Sequence, residues 1–151
     1  MNLTEEFIQS YTEARTRLKL LLNQLTENDL QKLIPPAPNS IGFLLRHIAD
    51  VELLFSKNVF KESTISVKAK TVISQKDTGE WTNLEEILNY LREAFTTIIE
   101  VLKKQSNDSW NDKITTNEFG TKTKAEAFGR IISHTAYHAG QVAIILKYGK
   151  S

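Results

Sequence analysis

Two histidines in the C-terminal part of the chain have the spacing of metal ligands. His134 and His138 are four residues apart, and on an α-helix this spacing places two side chains on one face, one turn apart. Apolar residues recur at helical intervals around them. The pair lacks the glutamate that would follow His134 in a metalloprotease motif. The spacing therefore indicates either two imidazoles directed at one metal ion or two polar residues on an otherwise apolar helix face.

His47 is the third and last histidine of the 151-residue chain, and it stands in a second apolar helical stretch. It follows Leu44 by three residues and precedes Val51 by four, so it shares their face. Burying an imidazole without a partner costs about 1 to 3 kcal/mol. Three such side chains in one core favour a shared divalent cation, with a hydrogen-bonded polar cluster as the alternative. Three neutral nitrogens without a thiolate suit zinc or nickel, and they leave a coordination position open for water or substrate.

Two acids near His47 are candidates for a role beside the metal. Asp50 lies three residues after His47. Its carboxylate could accept a hydrogen bond from a ligand, act as the base that holds a water molecule, or bind the metal itself. Asp50 is therefore a candidate catalytic residue. The alternative is that Asp50 and Glu52 are solvated or paired surface acids, which fits Glu52 better because carboxylates are seldom buried. Arg46 is predicted to face solvent.

A second catalytic candidate follows the histidine pair. Gln141 lies three residues after His138, so its amide could donate or accept a hydrogen bond at the metal site. Tyr137 is on another helical face and is predicted to pack at the surface. Gly140 is predicted to permit the close approach of a neighbouring helix.

Four long helices are predicted to position these residues, because apolar side chains recur at helical spacing in four segments. The segments span about residues 4–25, 40–58, 82–104 and 123–149. Their predicted N-terminal caps are Thr4, Asn39 or Ser40, Thr82 and Thr123, and the last two open Thr-x-x-Glu capping boxes.

Two long connectors separate the predicted helices. Residues 57–80 show no helical period, and a connector of that length can cross a bundle instead of making a tight hairpin. The alternation in Thr64–Val67 indicates a short extended piece within it. Residues 105–122 predict two more short extended pieces, with Trp110 and Phe119 packed onto the bundle as satellite core. Together these features predict an all-α protein, a four-helix bundle with long crossover connections.

The histidine motifs, taken together, resemble those of the DinB family. His47 stands in a helix that opens with Asn39-Ser40-Ile41-Gly42, after the connector Pro35-Pro36-Ala37-Pro38, and the string His134-x-x-x-His138-x-Gly140-Gln141 follows far downstream. The similarity covers nearly the whole chain. It implies a small, metal-binding helical bundle. It also implies a choice among transfer of a low-molecular-weight thiol, thiol-dependent isomerisation and metal-dependent hydrolysis.

Charge and composition restrict the class of partner. With 19 basic and 18 acidic residues the net charge is +1, which gives no electrostatic footprint for nucleic acid or a membrane surface. Because the chain has no cysteine, any thiol in its reaction would belong to a cosubstrate. The first residues do not have the pattern of a signal peptide, and no apolar run reaches the ~20 residues of a membrane span. We expect a cytoplasmic protein that forms a single domain over residues 1–151.

Apolar residues outside the main helical stripes indicate a helix face that could join two copies of the chain. Phe43, Leu53 and Tyr90 are the residues that suggest it. A homodimer is therefore expected.

These observations lead to a functional hypothesis with two alternatives. We expect a metal-dependent enzyme that transfers a low-molecular-weight thiol to an electrophilic small molecule, with His47, His134 and His138 as ligands of zinc or nickel. The first alternative is a metal-dependent hydrolase. The second is a non-catalytic metal-binding or stress-related protein.

Overall fold

The computed structural model describes residues 2–151 and contains four long helices that form a bundle. The helices are α1 (Leu3–Leu22), α2 (Ile41–Asn58), the short α3 (Lys70–Ser74), α4 (Leu84–Lys103) and α5 (Lys124–Tyr148). The remaining elements are the 3₁₀ turns Glu27–Gln31 and Asp108–Asn111 and the antiparallel strands β1 (Lys113–Thr116) and β2 (Gly120–Thr123). The predicted all-α, four-helix architecture is confirmed.

The N-terminal caps agree with the sequence only in part. The capping box at Thr123 is present as predicted. At α1 the cap is Asn2 and not Thr4, and at α4 it is Asn83 and not Thr82, because these asparagine side chains accept the backbone N–H three residues ahead. The hydroxyl of Thr4 is used elsewhere, since it donates to a backbone carbonyl at 2.9 Å and accepts the indole N–H of Trp110 at 2.8 Å.

The first and last helices run in the same direction. Their N-terminal halves meet where the rings of Tyr11 and Phe128 lie 5.5 Å apart. Beyond their C-terminal ends the chain pairs again, through an isolated β-bridge between Leu33 and Lys150. If each of the four long helices reversed direction relative to the one before, the first and the last would be antiparallel. Their parallel arrangement therefore requires a long crossover connection, and the predicted crossover is confirmed.

Two clusters of buried side chains fill the bundle. α2 packs against both α4 and α5, and α1 closes the other side of α5. The first cluster reaches Ala139 on α5, whereas the second is built on aromatic rings and reaches Ile131. Trp110 belongs to the second cluster and is 1% exposed, so its assignment to the core is confirmed. His134 and His138 lie on α5 between the two clusters.

Two of the three residues that suggested a homodimer lie inside the bundle, and the third, Tyr90, is half-buried. Phe43 and Leu53 are 5% and 4% exposed, and the hydroxyl of Tyr90 donates to Asp50 at 2.7 Å. The premise is therefore wrong for Phe43 and Leu53, because the chain's own helices cover them. The oligomeric state stays a prediction.

The connector between α2 and α4 crosses the bundle and holds itself in place by side-chain contacts. Thr64 lies in a turn and residues 65–67 have no assigned secondary structure, so the alternation in Thr64–Val67 does not form a strand. The connector instead contains the short helix α3, which the sequence pattern did not indicate. Further along, the carboxylate of Asp77 accepts the backbone N–H and the hydroxyl of Ser40, the cap of α2, at 2.8 and 2.6 Å.

A glycine permits close packing, but it is not the predicted one. A Cβ atom on Gly42 would lie 2.1 Å from the backbone oxygen of Trp81, so α2 and the end of the connector touch there. A Cβ on Gly140 would meet nothing within 4 Å, and the prediction for Gly140 is wrong. Among the helices of residues 2–151, none combines the length and apolar composition that a bilayer crossing needs.

Candidate metal centre

The three histidines of the chain converge on one point. His47 comes from α2, whereas His134 and His138 occupy successive turns of α5. The Nε2 atom of His134 lies 3.1 Å from that of His47 and 3.1 Å from that of His138. One ligand atom from each of the three side chains can be chosen so that all lie within 4.8 Å of one another. The structure therefore brings the three imidazoles together, and their role as metal ligands stays a prediction.

Outer hydrogen bonds decide which ring nitrogens carry protons. The Nδ1 atom of His138 lies 2.6 Å from Oε1 of Gln141, an oxygen that can only accept. The Nδ1 atom of His47 lies 3.0 Å from the Thr71 hydroxyl, and that hydroxyl donates its own hydrogen to Asp50 at 2.7 Å. Both Nδ1 atoms must therefore be the protonated ones, which leaves the Nε2 lone pairs of His47 and His138 directed into the cluster.

This donor set fits a divalent cation better than it fits a hydrogen-bonded cluster. Without a cation, the Nε2 lone pairs of His47 and His138 would both have to accept from His134. The ring of His134 has only one Nε2–H to donate, so one lone pair would be left without a donor. Metal–nitrogen bonds of about 2.0 to 2.1 Å at angles between 90° and 109° place nitrogens about 2.8 to 3.4 Å apart. The separations of His134 Nε2 from the Nε2 atoms of His47 and His138 are both 3.1 Å. Nδ1 of His134 is buried and has no partner among residues 2–151.

The site keeps its imidazoles neutral. Burial, reinforced by the neighbouring His138, lowers the pKa of His47 to about 4 and the pKa of His134 to about 3. Burial also lowers the pKa of His138, against an opposing hydrogen bond to Gln141. Neutral imidazoles are the form that binds a metal, so at neutral pH no proton has to be removed before binding.

Asp50 lies behind the histidines and does not face them directly. Its carboxylate is fully buried. One oxygen accepts the backbone N–H and the hydroxyl of Thr71 at 3.1 and 2.7 Å. The other accepts Nε of Arg46 at 3.0 Å and the hydroxyl of Tyr90 at 2.7 Å. Asp50 therefore accepts no hydrogen bond from a histidine, and it reaches His47 only through the Thr71 hydroxyl. Its predicted role beside a metal stays a prediction.

The expectation that Arg46 faces solvent is wrong. Its guanidinium lies 3.7 Å from the ring centroid of Tyr90 and 5.1 Å from that of Trp81, and it also donates to the carbonyl of Lys68 at 3.2 Å. The cation balances the charge of Asp50 and fixes the carboxylate that in turn holds Thr71.

The expectation that Glu52 is a surface acid is also wrong. Its side chain is fully buried, and it accepts Nε and Nη2 of Arg15 at 2.8 Å each as well as the hydroxyl of Tyr11. Burial raises the pKa of Glu52 above its usual range, while Arg15 acts in the opposite direction. A bidentate partner is what makes a buried carboxylate tolerable, so Glu52 holds α1 to α2.

An open cleft of about 1150 Å³ adjoins the histidines. His47 and His134 form part of its wall, and Tyr137, which is 64% exposed, stands at its edge. Gln141 contacts the far side of the His138 ring and does not line the cleft. The structure therefore brings His47, His134 and His138 together. Gln141 contacts His138 directly, whereas Asp50 is linked to His47 only through Thr71.

The sequence pattern did not identify two residues that contact Asp50. Thr71 lies in a connector without periodicity, and Tyr90 is one of many residues on α4, so neither carried a signal of its contact with Asp50. The only hint was that Asp50 follows His47 by three residues and so lies on the same face of the helix. A carboxylate buried on that face needs hydrogen-bond partners from elsewhere in the chain.

Solved structures with the same fold include proteins of different described activities. YfiT from Bacillus subtilis, described as a probable metal-dependent hydrolase with an unusual four-helix bundle topology, is 16% identical and matches 95% of this chain and 86% of its own with a TM-score of 0.72. A mycothiol-dependent maleylpyruvate isomerase is 15% identical with a TM-score of 0.69, over 92% of this chain but only 60% of its own. The colibactin self-resistance protein ClbS, solved with double-stranded DNA, is 16% identical with a TM-score of 0.69, over 96% of each chain.

At these identities the likeness establishes the fold alone. No curated protein matches the sequence significantly. The sequence profile of the DinB superfamily matches residues 10–142, a range that includes all three histidines and both of the hydrogen-bond partners discussed above. The chain therefore belongs to the DinB superfamily.

Proposed function

We propose that the protein is a metal-dependent enzyme that transfers a low-molecular-weight thiol to an electrophilic small molecule. His47, His134 and His138 would hold a divalent ion, zinc or nickel, through their Nε2 atoms. The observation that carries the proposal is the convergence of three neutral imidazoles beside an open cleft, with Nε2 of His134 3.1 Å from Nε2 of each of the other two. Three protein ligands leave a coordination position for a reactant, whereas structural zinc sites are usually closed by four.

The residues of the site suit thiol transfer. A divalent ion lowers the pKa of a thiol that binds to it, which supplies a nucleophile that the cysteine-free chain cannot supply itself. The sulfur electron pair forms the new S–C bond, the leaving group departs with its own electron pair, and the thiol proton passes to solvent through the cleft. Thr71 and Gln141 hold two of the imidazoles in fixed orientations, so little reorganisation is needed at the moment of reaction.

The surroundings of Asp50 favour transfer over hydrolysis. A hydrolase needs a base that takes a proton from water. Asp50 is buried and already accepts four hydrogen bonds, and Glu118, the acid in the wall of the cleft, is paired with Arg130 at 3.0 Å. A thiol has a much lower pKa than water, so it loses its proton to solvent more readily without such a base. Hydrolysis stays the second candidate because YfiT, of like fold, is described as a probable metal-dependent hydrolase.

The proposal is tested by turnover of an activated aryl halide with a panel of cellular thiols. We expect turnover that requires the thiol, stops when the metal is chelated, and is lost in His134→Ala. Ile144→Ala is the matched control, because this side chain is 56% exposed on the same helix and lies outside the cleft. Turnover of an activated ester without any thiol would favour the hydrolase. Absence of both activities from a metal-loaded protein would favour a non-catalytic metal-binding protein.

A further inference from the structure

The cleft beside the histidines extends along α2 for about three turns. Four of its wall residues, His47, Val51, Leu54 and Asn58, are spaced three or four apart, so they form one stripe along the helix. Lys57, also in the wall, is ten residues beyond His47. At 1.5 Å per residue the two positions are about 15 Å apart along the helix axis. The cleft is therefore a long groove with the histidines in one part and the end of α2 in another.

The end of the groove away from the histidines carries unbalanced positive charge. Lys57, Lys61 and Arg130 are the basic side chains of the wall apart from its histidines, and Glu118 is its acidic one. Glu118 and Arg130 neutralise each other across 3.0 Å. Within residues 2–151 neither Lys57 nor Lys61 forms an ion pair, and both side chains are exposed. Two free ammonium groups thus stand at the end of α2.

Apolar side chains form the wall between the histidines and the lysines. Val51 and Leu54 come from α2, Val72 comes from α3, and Phe119 comes from the turn between β1 and β2. Phe119 also approaches Phe55, with ring centroids 6.5 Å apart. A ligand that runs the length of the groove would therefore meet hydrocarbon in its middle and cations at its end.

We infer that the acceptor electrophile is an elongated, anionic amphiphile. Its reactive carbon would lie at the histidines, its apolar chain along α2, and its carboxylate or other anion about 15 Å away at Lys57 and Lys61. This inference rests on the proposed function for the reactive end, whereas the anionic end is judged from the groove alone. The lysines contribute charge to substrate binding and take no part in the chemical step.

Binding of n-dodecanoate to the metal-free protein tests the anionic end directly. This carboxylate has about the length of the groove, and dodecyltrimethylammonium is the probe of equal chain length and opposite charge. Calorimetry should show that the acid binds more tightly than the cation. An exposed ion pair contributes about 1.4- to 5-fold in affinity, so removing two in Lys57→Gln/Lys61→Gln should weaken dodecanoate binding about 2- to 25-fold. Lys19→Gln on α1, outside the groove, is the matched control.

Turnover with matched bromides tests whether the same groove selects the substrate. Transfer of a thiol to 11-bromoundecanoate forms an S–C bond and releases bromide, and 11-bromoundecanol is its neutral counterpart. The ratio of KM for the alcohol to KM for the acid should exceed one in the parent protein. It should fall about twofold or more in Lys57→Gln/Lys61→Gln.

The outcomes separate the inference from the proposed function. If neither bromide reacts while dodecanoate binding depends on the two lysines, the transferase proposal fails and the assignment of an anionic ligand stands. If both bromides react, but the KM ratio and the affinity for dodecanoate are the same in Lys57→Gln/Lys61→Gln as in the parent, the inference is overturned and the transferase stands. Equal affinity for the acid and the cation would overturn the inference as well.

Discussion

Replacing Thr71 by valine should weaken metal binding without touching a ligand. The substitution keeps the shape of the side chain but removes the hydroxyl that joins Nδ1 of His47 to Asp50 over 3.0 and 2.7 Å. The Nδ1–H of His47 then loses its acceptor, and one oxygen of Asp50 keeps only the backbone N–H of residue 71. Loss of a partner behind a metal-binding histidine typically reduces affinity about 10- to 100-fold, which corresponds to about 1.4 to 2.7 kcal/mol.

The assay is a competition titration of zinc against a fluorescent chelator, with circular dichroism to confirm that the helices are intact. Thr71→Ser is the matched control, since it keeps the hydroxyl, and its affinity should stay close to that of the parent. The metal-free Thr71→Val protein should also lose about 1 to 3 kcal/mol of unfolding free energy, because buried polar groups lose a partner. Parental zinc affinity in Thr71→Val, or equal weakening in valine and serine variants, would refute the reasoning.

Further predictions concern the packing and the acid sensitivity of the bundle. Glu52→Gln should cost about 3 to 5 kcal/mol in urea unfolding, because it leaves the buried guanidinium of Arg15 without its anion; a cost below about 1 kcal/mol would contradict this. Gly42→Ala should destabilise by about 1 to 3 kcal/mol, since its Cβ would lie 2.1 Å from a backbone oxygen. Gly140→Ala should stabilise by about 0.5 to 1 kcal/mol, since its Cβ meets nothing within 4 Å on a helix; the same sign for both glycines would refute the packing argument. The pKa of His47 is lowered from 6.5 to about 4, so below pH 6.5 the unfolded chain binds protons that the folded chain does not, and the metal-free protein should lose stability as pH falls from 6.5 to about 4. Urea midpoints that stay flat across that range would contradict the assignment of neutral, buried imidazoles.

The parts of the fold that depend on local periodicity were predictable from the sequence. The apolar stripes of the four long helices and the capping box at Thr123 are properties of neighbouring residues, and the structure confirms them. The convergence of His47 with His134 and His138 was also predictable, because three polar rings on apolar faces need a common partner. In each case the spacing of residues along the chain is visible in the sequence, and burial or capping gives the energetic reason for the structure that forms.

The contacts that depend on distant parts of the chain were not predictable in this way. A buried, paired acid such as Glu52 has the same sequence signature as a solvated one, and its partner Arg15 is 37 residues away. Arg46 looked like a surface residue because the aromatic rings that cover it come from Trp81 and Tyr90. Thr71 lies in a segment whose path is set by tertiary contacts, so no local pattern could place it beside His47.

Metal content of the purified protein tests the central claim most directly. We predict that the parent protein, dialysed against zinc or nickel and then against buffer, retains about one divalent ion per chain by plasma mass spectrometry. His47→Ala, His134→Ala and His138→Ala should each fall well below that value and keep their helical signal, whereas Ile144→Ala should match the parent. Full occupancy in His47→Ala, or no retained metal in the parent, would contradict a centre formed by the three histidines.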